Sequence, residues 1–285
     1  MTINQLANEF MSNYAERRLR PSTVRGYAVN LYRHALPVIG ELLLDELDVF
    51  HLDDLTDALS DRGLSNRSIV YVHATVRKML NYAIRRRYLS FNLYDRFDLP
   101  RVKRYRYKVL SEDEICRLLL LCRGTSIHIP VTLALCYGLR RGECLGIIPS
   151  RDLDYANSTL HIQRTRSIER GRDVVTPCKT DDSDRFILLR PEHLALFSAT
   201  NSDYACPLTP SKLEYRFKRL LQEYDFPEIR FHDLRHSYAT LLYKKGVDLK
   251  LISDVLGHAD LRITADTYCH PDVNVQKRIL EVFKV

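Results

Sequence analysis

Hydrophobic residues recur at helical spacing from the start of the chain. Ile3, Leu6, Phe10, Met11 and Tyr14 lie mostly three or four apart, so they line one side of a first helix. Pro21-Ser22-Thr23 is a helix start signal with Ser22 as the expected cap, and Val24, Tyr27 and Leu31 carry the apolar stripe of a second helix. Leu52, Leu55 and Leu59 mark a third, which Gly63 stops. Ser65 or Asn66 can cap a long fourth helix. It has Ile69, Val72, Val76, Met79, Leu80 and Ala83 on one side and Arg85-Arg86-Arg87 at its far end. Four helices suffice for a small independent bundle, so residues 1–98 are expected to fold as one helical domain.

The periodicity lapses over residues 98–110, which include Pro100, and an interdomain linker is expected at 99–110. A second domain, 111–285, opens on Ser111-Glu112-Asp113-Glu114. This is a capping box, in which the serine hydroxyl and the Glu114 carboxylate each satisfy a free helix N–H. A further helix is expected from Ser126 to Tyr137. Between residues 151 and 190 alternation replaces helical spacing: Thr159–Thr165, Asp173–Thr176 and Arg185–Leu189 read as strands. Gly171 and the polar turn Thr180–Asp184 separate them, and together they predict a three-stranded antiparallel sheet. Helices resume at 191–198, 210–224, 232–245, 248–257 and 273–283. The expected fold class is mainly α with a small antiparallel β-sheet: a helical domain followed by an α+β domain.

A length of 285 residues favours two domains over one. The formal charge of +7 suits a polyanionic partner without identifying one. The cations are clustered: Arg77, Lys78, Arg85, Arg86, Arg87, Arg96, Arg101, Lys103, Arg104 and Arg106 face only Asp95 and Asp98. Such a run reads either as a solvated helix face or as a nucleic-acid contact. The second reading is favoured because rings alternate with cations over residues 101–108, at the expected linker. Arg77, Arg85, Arg86, Arg101, Lys103, Arg104 and Arg106 are the candidate DNA-binding residues. The seven cysteines are odd in number and form no CxxC pair, and no secretory leader precedes them, so a reducing cytoplasm is expected. No apolar run approaches membrane-spanning length, so no membrane partner is expected.

Five segments of the second domain hold residues suited to phosphoryl transfer, each with a plainer alternative. Arg140 follows the helix end at Gly138; it is either a surface arginine or a planar fork for two phosphate oxygens. Glu143, three residues on, either orients Arg140 or a histidine, or is an exposed helix residue. Lys179 sits in a turn between strands, where it is either solvated or able to protonate a leaving oxygen. His232 and Arg235 are three apart and share a helix face, a spacing that also occurs by chance. His258 follows Gly257, an expected helix C-cap, and reads as a phosphate donor or as a capping or core histidine. Tyr268 is one of seventeen tyrosines and gains weight only from its neighbours.

The ordered set GLRRGE (residues 138–143), KT (179–180), HDLRH (232–236), LGHAD (256–260) and TADTYCH (264–270) resembles the tyrosine recombinase (phage integrase) family. Order and rough spacing agree across residues 111–285, and the helical first part resembles that family's core-binding domain. The resemblance implies Arg140, Lys179, His232, Arg235 and His258 as the active-site shell and Tyr268 as nucleophile. It also implies double-stranded DNA sites as partner and a homotetramer assembled on DNA from free monomers or weak oligomers. That tetramer would cut strands in pairs through a four-way junction, with or without accessory factors. The chain starts directly at the helical module, so the expectation is either a two-domain Xer- or Cre-like architecture without an arm-binding domain or a longer protein from which that domain has been removed. The implied origin is bacterial or a phage or other mobile element, with action on nucleoid DNA. Tyr137 stands where the family often has a small residue, which puts local packing in doubt.

A phenol with an ordinary pKa near 10 is a poor nucleophile at neutral pH and needs a base. In the implied scheme His232 assists that proton's removal, Lys179 protonates the departing 5′ oxygen, and two guanidiniums hold the phosphate. No carboxylate cluster or His/Cys ligand set is evident, so cleavage without metal, ATP or other cofactor is expected. The apolar tail at about 273–285, carrying Val273, Val275, Ile279, Leu280, Val282 and Phe283, is the expected exchange helix, docking on a neighbouring subunit or on its own domain. Competing readings are a catalytically silent DNA-binding protein of this fold and a type IB topoisomerase-like strand transferase. A metal-dependent nuclease is a third.

Overall fold

The computed structural model describes residues 1–102, 107–169, 172–178, 183–199 and 202–257. The chain divides into two compact units, Met1–Tyr105 and Arg106–Val285. Each has its own core.

Unit one is helical throughout. Helix α1 (Ile3–Phe10) is capped by Thr2, continues through a π-helical stretch (Met11–Ala15) and ends in α2 (Glu16–Arg18). Helix α3 (Pro21–Ala28) begins with proline in its first turn, which needs no N–H there, and its N-cap is Arg20 with no side-chain bond. Ser22 therefore lies inside the helix and is not its cap, because the proline moves the start two residues earlier than a serine cap would require. A second π-helical stretch (Val29–Ala35) leads to α4 (Leu36–Ile39). Helix α5 (Val49–Asp61) follows, and Gly63 takes a left-handed conformation just beyond its end. Helix α6 (Asn66–Arg85) is capped by the Ser65 hydroxyl, which accepts from the Ser68 N–H. Most of the predicted stripe residues, from Ile3, Leu6 and Phe10 to Val72, Val76 and Met79, are buried in one cluster, with Tyr14, Val24 and Tyr27 packed against it partly buried.

Unit two opens with α7 (Glu112–Leu121), where Ser111 and Glu114 form the expected capping box at 3.2 and 2.7 Å. Helix α8 (His128–Tyr137) is buried on nearly all sides. It ends at Gly138, whose φ of +68° only glycine adopts freely. Helices α9 (Arg141–Gly146) and α10 (Pro149–Asp152) lead into the sheet region. Here β1 (Leu153–Asp154), β2 (Thr159–Ile162) and β5 (Arg185–Leu188) form one antiparallel sheet in the order β1-β2-β5. Strands β3 (Arg164–Glu169) and β4 (Arg172–Pro177) pair as a separate hairpin. The expected single three-stranded sheet is thus corrected: the run from Thr159 breaks at Gln163, and its second part turns to pair with β4 and pack on α9.

Helix α11 (Pro191–Leu194) continues as a 3₁₀ stretch (Ala195–Ala199). Three helices follow: α12 (Pro210–Glu223), α13 (Phe231–Lys244) and α14 (Leu249–Leu256). Helix α13 packs on α8 and α14, and Gly257, left-handed at φ +65°, ends α14. The expected helix at 273–283 lies outside the described residues. Tyr137, for all its size, is accommodated by a specific network. Its hydroxyl accepts from the Arg190 N–H (2.9 Å) and pairs with His193 Nδ1 (2.7 Å).

Candidate active site

Two helix starts of the same design bring the site together. At α9, Arg140 is the N-cap and Glu143 the third helical residue, and the Glu143 carboxylate accepts from the Arg140 N–H at 2.9 Å. At α13, Arg230 and Asp233 repeat the arrangement, with the Arg230 N–H donating to Asp233 at 2.9 Å. A carboxylate here is favoured twice, by the unpaired N–H groups and by the positive end of the helix dipole. These starts fix the backbone at Arg140 and, one turn into α13, at His232 and Arg235.

The arginines then meet at the other end of a third helix. Arg140 donates from Nη2 to the carbonyl of Gly257 (2.8 Å), and Arg235 from Nη2 to that of Leu256 (2.7 Å). Arg235 also donates from Nη1 to Gly138 O (2.7 Å), the residue that turns the chain toward Arg140. Two guanidiniums from segments ninety-five positions apart thus sit on successive carbonyls at the C-terminus of α14. Those carbonyls have no partner within the helix and carry its negative partial charge, so they attract cations. Arg235 is almost fully buried, whereas 32% of the Arg140 side chain stays open to solvent. Arg140 is therefore the more accessible of the two to an incoming anion.

Glu143 lies beneath them with its side chain 1% exposed. Its Oε1 accepts from Arg140 Nη1 at 2.7 Å, and its Oε2 accepts from Arg185 Nη2 at 3.1 Å. Burial alone would raise its pKa; the charges of Arg185 and Arg140 outweigh burial and hold it below the usual carboxylate value. The alternative of an exposed helix residue at Glu143 is excluded by this geometry. His232 is exposed at the start of α13, with its ring edge-to-face on His236 at 5.0 Å between centroids. Partial loss of water around the ring, on the side packed against the protein, and next the charge of Arg235, hold His232 below the ordinary imidazole pKa. It is neutral at pH 7 and able to accept a proton.

Lys179, His258 and Tyr268 lie outside the described residues, as do Lys103, Arg104 and Arg106. His258 directly follows Gly257, the carbonyl of which holds Arg140. Of the remaining basic candidates, Arg77 pairs with Asp95 (3.2 Å), and Arg86 donates to Tyr82 Oη (3.0 Å) and stacks on that ring. Arg85 and Arg101 are exposed, and Asn66 donates to the Arg101 carbonyl at 3.0 Å. Sequence reasoning missed Arg185. A lone arginine opening a strand carries no local sign that it reaches a carboxylate forty-two positions earlier. Among the described residues, no group of three His, Cys, Asp or Glu is placed to hold a metal ion, and no helix is long and apolar enough to cross a membrane.

Comparison with known proteins gives the family. The Phage integrase family matches residues 108–274. The tyrosine recombinase XerC of Alcanivorax borkumensis is 31% identical over 288 aligned positions, covering 94% of this chain and 90% of the relative. The fold matches the Tn1549 transposon integrase, solved with transposon right end DNA, with a TM-score of 0.86 at 18% identity over the whole of both chains. It also matches a lambda integrase tetramer bound to a Holliday junction, with a TM-score of 0.72 at 15% identity, over 96% of this chain and 80% of that one. With more than half its length matched and a full-length relative above 30% identity, the chain belongs to the phage integrase family and is a site-specific tyrosine recombinase, an enzyme that breaks and rejoins DNA strands.

Proposed function

We propose that Tyr268 is the nucleophile and that Arg140, Lys179, His232, Arg235 and His258 complete its active site. The observation that carries this reading is the seating of Arg140 and Arg235 on adjacent carbonyls at the end of α14, one residue before His258. Two of the six groups thereby meet at one point of the fold, and a third, His258, is the next residue in the sequence. The Tyr268 hydroxyl oxygen attacks the phosphorus of a phosphodiester, and the P–O5′ bond breaks. The phenolic proton passes to His232, whose lowered pKa keeps the ring in the neutral form that has a free nitrogen to accept it. Lys179 gives a proton to the departing 5′ oxygen. Arg140, Arg235 and His258 face the non-bridging oxygens and stabilise the charge that grows there. The product is a 3′-phosphotyrosyl ester and a free 5′-hydroxyl. Attack by a 5′-hydroxyl from a second duplex reverses each step, so no ATP or metal ion is consumed.

This reading extends to a two-domain clamp on double-stranded DNA, with residues 1–98 as the core-binding domain and 99–110 as a basic linker. Arg77, Arg85, Arg86, Arg101, Lys103, Arg104 and Arg106 would contact phosphates. Four copies would assemble on two DNA sites through the C-terminal segment, as the lambda integrase tetramer on a Holliday junction supports. The protein would act on nucleoid DNA in a bacterial cytoplasm.

The experiment is a trapping assay in EDTA. Sequencing the DNA bound by Tyr268→Phe identifies the site, and a nicked version of that site serves as substrate. Wild type forms an adduct that survives denaturation, and Tyr268→Phe binds the site without forming one. An adduct that persists in Tyr268→Phe, or one that requires a divalent ion, overturns the assignment.

A further inference from the structure

Arg185 is the first residue of β5, six positions after Lys179. Its Nε donates to the carbonyl of Val255 at 2.7 Å, and its Nη2 to Glu143 Oε2 at 3.1 Å. Its Nη1 reaches Ser183 O at 3.1 Å and Glu143 Oε1 at 3.5 Å, and the side chain is 9% exposed. The guanidinium is thus spent on protein groups, which separates it from Arg140. Together Arg185, Arg235 and Arg140 occupy the carbonyls of Val255, Leu256 and Gly257, three in succession.

We infer that Arg185 is a positioning residue for strand cleavage: it fixes the Glu143 carboxylate that aims Arg140, and it fastens the end of α14 to the strand that follows Lys179. The inference rests on the active-site reading above. Two physical consequences follow from the contacts. First, Glu143 offsets one of the two positive charges of Arg140 and Arg235, and Arg185 makes good that loss in the cluster beside the phosphate site. Second, each Glu143 oxygen is held by a guanidinium, so the carboxylate cannot rotate away from Arg140. Lysine would keep the charge but has no planar fork to span a carboxylate and a carbonyl at once. Glutamine keeps neither.

The same arrangement predicts a shift in pH response. Removing the Arg185 charge lets burial raise the Glu143 pKa, and a protonated Glu143 no longer orients Arg140. Among the described residues, the other groups facing Glu143 are Arg140, Arg235 and the Cys144 and Cys178 thiols, both thiols pushed up by burial. His232 does titrate in acid, and its effect cancels in the ratio of variant to wild type.

Single-turnover adduct formation on the nicked site, with DNA affinity measured separately, tests the inference. Arg185→Gln is expected to slow adduct formation by about 100-fold while site affinity stays within about threefold, and Arg185→Lys to recover roughly tenfold. The Arg185→Gln to wild-type rate ratio should fall further as the pH drops from 7 to 5. Glu143→Gln combined with Arg185→Gln should make that ratio flat. Wild-type rates and a flat ratio in folded Arg185→Gln overturn the inference, and so does an Arg185→Lys that is no better than glutamine. If Arg185→Gln does not fold, Arg185→Lys alone decides: a slowed rate at unchanged affinity supports the role, and a wild-type rate overturns it. Failure of wild type itself to form an adduct through Tyr268 would instead sink the active-site reading.

Discussion

At the scale of single residues, Gly138 shows how a backbone choice governs chemistry. It sits at φ +68°, where L side chains are strained, and an added Cβ would lie 2.6 Å from the Tyr238 ring and 2.7 Å from Leu256. Its carbonyl also holds Arg235. Gly138→Ala combines left-handed strain with overpacking, for an expected loss of about 2–4 kcal/mol. Denaturant unfolding monitored by circular dichroism should show this loss, and adduct formation should slow because Arg235 loses its seat. A variant within about 0.5 kcal/mol of wild type would mean that the surrounding side chains yield freely. Residue identity made part of this legible. The GLRRGE string placed Gly138 and Arg140 at a helix end, and Glu143 was one of two readings there. Arg185 was not legible, because its partners, Glu143 and Val255, lie 42 and 70 positions away and are set only by tertiary packing.

At the scale of elements, amphipathic helices were the easiest to read, since one buried stripe per helix writes itself into the sequence. The long α6 lies within a residue or two of its expected bounds, and α7 starts at its expected capping box. The sheet was harder: the alternation from Thr159 to Thr165 cannot reveal that β2 pairs with β5 while β3 pairs with β4. Pairing is a choice between partners, and period alone does not make it. Equally hidden was the fastening of the segment before α7 onto α13. The Leu110 N–H donates to Ser237 Oγ at 3.1 Å, and the Tyr107 ring lies 3.9 Å from that of His236. This joins residues 107–110 to the helix that carries His232 and Arg235. Ser237 and Leu110 are buried, so Ser237→Ala strands an N–H without water, at a cost of about 1–3 kcal/mol. Hydrogen exchange at Leu110 should accelerate in that variant. Unchanged protection there would show that another group takes over the amide.

At the scale of the whole molecule, both units bury a neutral histidine, and this sets how the protein answers acid. In unit one, Thr56 donates its only hydroxyl proton to Leu52 O at 2.9 Å, so it must accept from His73 Nε2–H at 2.9 Å. His73 Nδ1 therefore accepts from the Tyr94 hydroxyl at 2.7 Å, and the ring is fully used as a neutral group. Burial holds its pKa down at about 4. In unit two His236 is likewise held at about 4, first by burial and then by His232. The sign follows from where protons bind. An unfolded imidazole takes up a proton below its ordinary pKa of about 6.5, while the folded ring refuses one until about 4, so protons favour the unfolded chain in between. Stability is complete above about pH 6.5 and declines as the pH falls toward 4, by up to roughly 3 kcal/mol for each histidine. Peptide-resolved hydrogen exchange on the full chain should show protection falling in both units over that window. In His73→Gln the decline should shrink in unit one, where His34, also held down by burial, remains, at some loss of stability at neutral pH, and persist in unit two. A His73→Gln chain whose unit one still loses protection on the wild-type schedule would place the acid-sensitive group elsewhere.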